Sequence, residues 1–242
     1  MNTELSSTVF NGETKQLMRA GFIFSISMAI ITIITFAFAM IAIPISGANA
    51  PDGGIQYPYL DTLQQFPRDY IWQFSALFLI INYLVQYSII HSSVRENKKI
   101  FTQIGLIFAI MSGLTLLITY FTQVTIVPIS LQSNETQGIA LITQYNPHGL
   151  FIALEELGYI LMILSFIALI PVFNIKEKYC KPINIVYGIA VVLVIIALSL
   201  ISFQYGIDRK DRFEVIIISI SWLVLIVNSI LLSRLFSKYI KE

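Results

Sequence analysis

Apolar and polar positions along this chain alternate in long blocks, not residue by residue. Six apolar runs of about 20 residues or more are separated by polar stretches. A helix needs roughly 20 apolar residues to cross the hydrocarbon of a bilayer. The runs therefore predict spanning helices over 20–45, 67–91, 100–127, 147–171, 183–205 and 213–233. The expected fold class is all-α, a six-transmembrane-helix bundle in one domain over 20–233. Polar tails occupy 1–19 and 234–242.

Breaker residues set the boundaries. Pro44, Pro51, Gly53, Gly54 and Pro58 punctuate the first long connection. Ala48-Asn49-Ala50 mimics a signal-peptidase site, but the preceding run far exceeds the roughly 7–15 residues of a signal h-region. It reads as a retained helix. Pro67 opens the second helix, where its missing N–H does no harm. Pro128 closes the third. A second long connection, 129–146, follows, with 138–145 expected to lie on the membrane surface. Asn146-Pro147 reads as an N-cap with proline at the first helical position.

Composition agrees with the pattern. Hydrophobic residues make up 56% of the chain and charged residues 12%, against about 25% charged in soluble domains. Mean hydropathy is +0.77, which places the chain among integral membrane proteins. A net charge of +1 gives no footprint for nucleic acid. One cysteine, Cys180, excludes an intrachain disulfide and a His/Cys zinc site. It reads as an inert thiol in a loop.

Charge also sets an expected orientation. With six spans both termini share a side. That side collects 11 of the 15 lysines and arginines, and the other holds Arg68, Arg209, Lys210 and Arg212. Positive residues favour the cytoplasm, so the expected location is the cell membrane, N-in and C-in. Both long connections then face outward. Asn134-Glu135-Thr136 is a glycosylation triplet on that face.

Candidate chemistry centres on 144–159, where Glu155 and Glu156 stand inside an apolar run. A carboxylate in hydrocarbon costs at least a few kcal/mol, so it needs a partner or a water-filled cavity. At 100° per residue, His148, Glu155, Tyr159, Met162 and Phe166 share one stripe. Glu155 would sit about 6 Å inside the outer hydrocarbon edge. On the second helix, Arg68, Trp72, Ser75, Asn82 and Gln86 form a matching stripe. Asp69 belongs to its rim. The third helix adds Ser112, Thr115, Thr119 and Thr122, with Tyr120 and Gln123 near its outer end. A guanidinium fork suits a carboxylate, so Arg68 is expected to pair with Glu155 or Glu156. The same hydroxyls and amides could instead bond neighbouring helices. Two small-residue series, Gly21/Ser25/Ala29 and Gly105/Ala109/Gly113, read as close-packing faces. If the second faced lipid, it would suit a homo-oligomer. The run 208–212 reads as a solvated turn.

Two stretches together, Phe66-Pro67-Arg68-Asp69-Tyr70-Ile71-Trp72 and Gln144 through Tyr159, resemble a family of uncharacterised prokaryotic multi-pass membrane proteins. The resemblance covers roughly 57–173. It implies a six-helix membrane fold and no particular activity.

The expected function is a polar ligand-binding or transport pocket opening to the outer face. Its candidate residues are Arg68, Asp69, Trp72, Tyr120, Gln123, His148, Glu155, Glu156 and Tyr159. Expected partners are membrane lipid and a small-molecule or lipid ligand. No cofactor, metal or nucleic acid is expected. Two alternatives stand. One is an outer-leaflet lipid- or isoprenoid-modifying enzyme with His148 and Glu155 as base and acid. The other is a structural or regulatory subunit.

Overall fold

The computed structural model describes residues 9–10, 15–42, 48, 54–173 and 176–241. Six helices among them are long and apolar enough to cross a membrane. Helix α1 is Lys15–Ile41, α2 Ile71–Ser93 and α3 Lys99–Gln132. A single turn, α4, spans Ile139–Ile142. Helix α5 is Leu150–Leu169, α6 Cys180–Tyr205 and α7 Arg212–Lys241. No strand occurs among the described residues, only an isolated bridge between Phe10 and Val94. The expected breaks at Pro44, Pro51 and Gly53, and the Ala48–Ala50 triplet apart from Ala48, lie outside the described residues.

Five helices close a ring. Neighbours run α7, α1, α2, α3 and α5, and α5 returns to α7. Helix α6 stands outside, packed mainly on α7. Burial follows this plan: α5 hides 61% of its most apolar window inside the protein, and α6 only 17%. Aliphatic side chains cover the outward faces, for example Ile23, Ile30 and Ile33 on α1 and Ile107, Ile110 and Leu114 on α3. In water such faces would be costly. In hydrocarbon they cost nothing.

Small residues set the close approaches, because TM-type helices gain stability from backbone proximity and packing. A Cβ on Gly21 would sit 2.5 Å from the ring of Phe236 on α7. One on Gly158 would sit 2.6 Å from Leu116 on α3. Gly105, Ala109 and Gly113 face Tyr87 and Leu84 on α2 and the end of α5, and Ala109 is fully buried. That stripe is spent inside the ring, so it is not a lipid-facing surface for a second copy.

Two boundaries differ from expectation. Helix α3 continues through Pro128 to Gln132, because Val127 and Leu131 pack beneath Ile139 of α4 and hold the last turn in place. Helix α5 begins at Leu150 instead of Pro147. Residues 146–149 form a turn, in which the Asn146 side-chain oxygen accepts from the His148 N–H at 3.0 Å and the Asn146 carbonyl accepts from the Gly149 N–H at 2.9 Å. Cys180 is not in a loop: it is the first residue of α6 and fully buried.

The two ends of the bundle differ. At the terminal end, the Val9 N–H donates to Glu177 Oε1 (2.8 Å) and to the Tyr239 hydroxyl (3.0 Å). That hydroxyl donates to Glu177, and Lys238 Nζ lies 3.5 Å from the same carboxylate. Phe10 stacks on Phe236, ring centres 4.7 Å apart. This end is plugged. The opposite end carries the 67–70, 139–149 and 206–212 segments and holds a cavity.

Candidate functional site

The cavity, about 270 Å³, lies within the ring near the end opposite the termini. Helix α1 contributes Phe36, Ala39 and Met40. The start of α2 contributes Asp69 and Trp72, and the 139–149 connection contributes Gln144, Tyr145 and Pro147. Phe151 and Ile152 come from α5. Asp211, Glu214, Ile218, Ser219 and Trp222 come from the start of α7. Among the described residues no lysine or arginine lines it.

Hydrogen bonds fix the connection that roofs this space. Gln123 on α3 donates to the Ile142 carbonyl and accepts from the Gln144 N–H at 2.9 Å. Gln73 Nε2 donates to Gln144 Oε1 at 2.6 Å. The Asn146 side-chain amide donates to the Ala140 carbonyl at 2.7 Å. Across the mouth, the Ala48 N–H donates to Asp211 Oδ1 at 2.8 Å. Gln123 is therefore a tie for the loop backbone, at 1% exposure, and does not touch the cavity.

The walls are aromatic. Trp72 meets Tyr120 edge-on at 5.2 Å between ring centres and Trp222 at 6.1 Å. Phe36 meets Trp222 at 5.7 Å. Beneath them the Trp222 indole N–H donates to the Tyr159 hydroxyl at 3.0 Å, and the Tyr159 and Tyr120 hydroxyls are 2.9 Å apart. An indole can only donate. The Tyr159 O–H can therefore donate to the Tyr120 oxygen, which leaves the Tyr120 O–H to point toward Glu155 beside it. Burial pushes the Tyr145 phenol above its ordinary range, so it stays a protonated O–H. It lies within hydrogen-bond reach of Tyr70 and Gln144, the three polar ends forming one buried cluster.

The expected pairing of Arg68 with Glu155 or Glu156 is not what forms. Arg68 donates through Nε to Asp69 at 2.6 Å and through Nη2 to Gln65 at 2.6 Å, with its side chain half exposed. Adjacency in sequence wins, because Asp69 offers a carboxylate with no helix to cross. Glu156 instead receives Arg209 from the turn before α7. Glu155, fully buried, faces Glu214 of α7 and Tyr120, and neither of its oxygens accepts a settled hydrogen bond. Glu214 is 7% exposed, lines the cavity, and lies within hydrogen-bond reach of the Glu155 carboxyl, with no ion pair among the described residues.

His148 also departs from expectation. It is exposed and bonds Asp208 Oδ1 at 3.0 Å. It lines a separate surface hollow with Glu156, Arg209 and Lys210, so it is not brought together with Glu155 inside the cavity. The run 208–212 is not merely solvated. Asp208, Arg209 and Asp211 each hold another segment, and Arg212 stacks on Tyr205 with its guanidinium carbon 3.9 Å from the ring centre.

Of the candidate residues, Asp69 and Trp72 line the cavity, while Tyr120, Tyr159 and Glu155 lie beneath it. Arg68, Gln123, Glu156 and His148 stand apart from it. The remaining polar positions on α2 tie helices together. Asn82 Nδ2 donates to Ser27 Oγ (2.7 Å), and Gln86 Nε2 donates to Ser25 Oγ (3.0 Å). Thr115 and Thr119 donate to their own helix backbone, and Ser112 Oγ is buried with no partner. Sequence reasoning missed Glu214 and Asp211 as site residues. The signal was present in Glu214, the one carboxylate in an otherwise uncharged last run. Among the described residues, no group of three His, Cys, Asp or Glu side chains is placed to hold a metal ion.

No family model matches the chain, and neither a curated protein nor a solved structure matches it.

Proposed function

We propose that this protein is a multi-pass membrane protein that binds a small molecule in a cavity entered from the outer face. The observation that carries the reading is the Glu214–Glu155 pair: two buried carboxyls, the first facing a cavity of about 270 Å³, with no basic group against Glu214 among the described residues. Such a pair holds a proton between its members until something in the cavity supplies a counter-charge. Purely structural carboxylates are matched within the protein, as Glu177 is at the other end. The cavity is near the low end of the range for ligand sites, about 300 Å³, and is mostly apolar with a few convergent polar groups. The bias of 11 basic residues to 4 supports cytoplasmic termini, and hence an outward mouth. Binding is the reading; coupled transport would need a passage onward. Toward the terminal end, a further cavity lined by Gln86 and Asn228 is about 10 Å³, room for about one water.

The protein carries its own reporter, since its two tryptophans, Trp72 and Trp222, both line the cavity. Purified full-length protein is titrated with a library of small cationic, neutral and anionic molecules while tryptophan emission and the thermal midpoint are read. The expected result is a saturable emission change with a raised midpoint for at least one chemical class, abolished by Ser219→Phe, which fills the cavity. If no class changes either signal, the proposal fails.

A further inference from the structure

We infer that the cavity takes an organic cation: a protonated amine or quaternary ammonium on a small apolar body. The inference rests on the binding reading above and names its ligand class. Among the described residues, three carboxylates reach the cavity, Asp69, Asp211 and Glu214. Only Asp69 has a counter-charge, and the arginine that supplies it, Arg68, is half exposed. Asp211 accepts one backbone N–H. Glu214 meets only another acid, Glu155, within hydrogen-bond reach, and Glu155 adds a like charge when both are ionised. The other nearby guanidinium groups are committed, Arg209 to Glu156 and Arg212 to the Tyr205 ring.

Carboxylates alone would not define a ligand. Two further features do. The first is Tyr145, 4% exposed, which lines the cavity and whose phenol oxygen can accept from a protonated amine. The second is the aromatic lining: Trp72, Trp222, Phe36 and Phe151 surround the acidic edge. The negative faces of such rings attract cations, tryptophan most strongly, and recognition of quaternary ammonium groups uses this arrangement. An anion would meet uncompensated carboxylates. A neutral apolar molecule would fill the walls and leave Glu214 bare. A hard metal ion would want about six oxygens around one point, and the described carboxylates do not converge that way.

The test uses purified full-length protein and the same tryptophan emission. Choline and benzyltrimethylammonium are titrated against 3,3-dimethylbutan-1-ol, the uncharged carbon isostere of choline. Their charge does not vary with pH, so the carboxylates are probed without changing the ligand. Choline is expected to act at concentrations at least about tenfold below the isostere, as losing a partly buried charge pair implies. Glu214→Gln is expected to shrink that ratio toward one without lowering the thermal midpoint. Should Glu214→Gln fail to fold, Asp211→Asn is read instead, with the same expected narrowing. The inference is overturned if alcohol and cation act equally, if the ratio survives substitution, or if sodium or calcium chloride alone reproduces the emission change. In those cases the cavity remains a binding site of another class. Silence of every compound, neutral ones included, would instead remove the binding reading itself.

Discussion

The two ends of this bundle each bury carboxylates and treat them in opposite ways. At the terminal end, Glu177 is 8% exposed and receives the Val9 N–H and the Tyr239 hydroxyl, with Lys238 close by. At the other end, Glu214 is 7% exposed and meets only a second acid, Glu155. Burial is equal; the partners are not. One carboxylate is a rivet that joins three segments far apart in sequence. The other shares a site with a like group, where the two cannot both ionise without cost. A buried acid is thus no guide to function until its donors have been counted.

The contrast can be broken at its strongest point first. Glu177→Ala should lower stability by about 2–3 kcal/mol, since it orphans buried donors that served a charged acceptor. The measurement is the thermal midpoint in detergent, and Glu177→Gln should recover part of the loss. An unchanged midpoint would show that the terminal network is dispensable. Arg209→Gln should cost about 1–2 kcal/mol, because it leaves Glu156 buried without its counter-charge. Arg68→Gln, long expected to matter for the same carboxylates, should leave Glu156 untouched, and combining the two substitutions should add nothing beyond their separate effects. Glu214→Gln should do the reverse of Glu177→Ala and raise stability by about 0.5–1 kcal/mol, as removal of an unsatisfied functional group commonly does. A clear loss there would mean that Glu214 is structural after all. Smallest of all, His148→Gln should shift the midpoint within error, because its exposed pair with Asp208 is of the kind that contributes little.

The bundle was legible because hydrophobic length is a local property. Six runs of the right length imply six helices without knowledge of which neighbours which. Pro128 misled because helix ends depend on what packs over them, and Ile139 sits 11 residues further on. The site was legible only in part. Glu155, Asp69 and Trp72 could be singled out, being polar or amphipathic groups within apolar runs. Their partners could not, since partnership depends on which helices touch. The stripes suggested that α2 and α5 would face each other through Arg68. Instead α5 turns its acids toward α7 and the turn before it, and α2 meets α5 lower down, where the hydroxyls of Tyr83 and Tyr87 lie 2.6 and 2.8 Å from Ser165 Oγ. Nothing in the spacing of residues 208–212 distinguishes a solvated turn from one that reaches back to Glu156.

The ring closes by joining its first helix to its last, α1 against α7. Emergence from the ribosome follows chain order, so Ser25 can meet Gln86 of α2 early, whereas the Gly21 side of α1 waits for Phe236 until α7 is made. Asp211, Glu214 and Trp222 arrive on that same late helix, as does Tyr239, which fastens the N-terminal segment. Assembly and competence therefore coincide: a chain stalled before α7 is both open along α1 and without the acid and indole of its cavity.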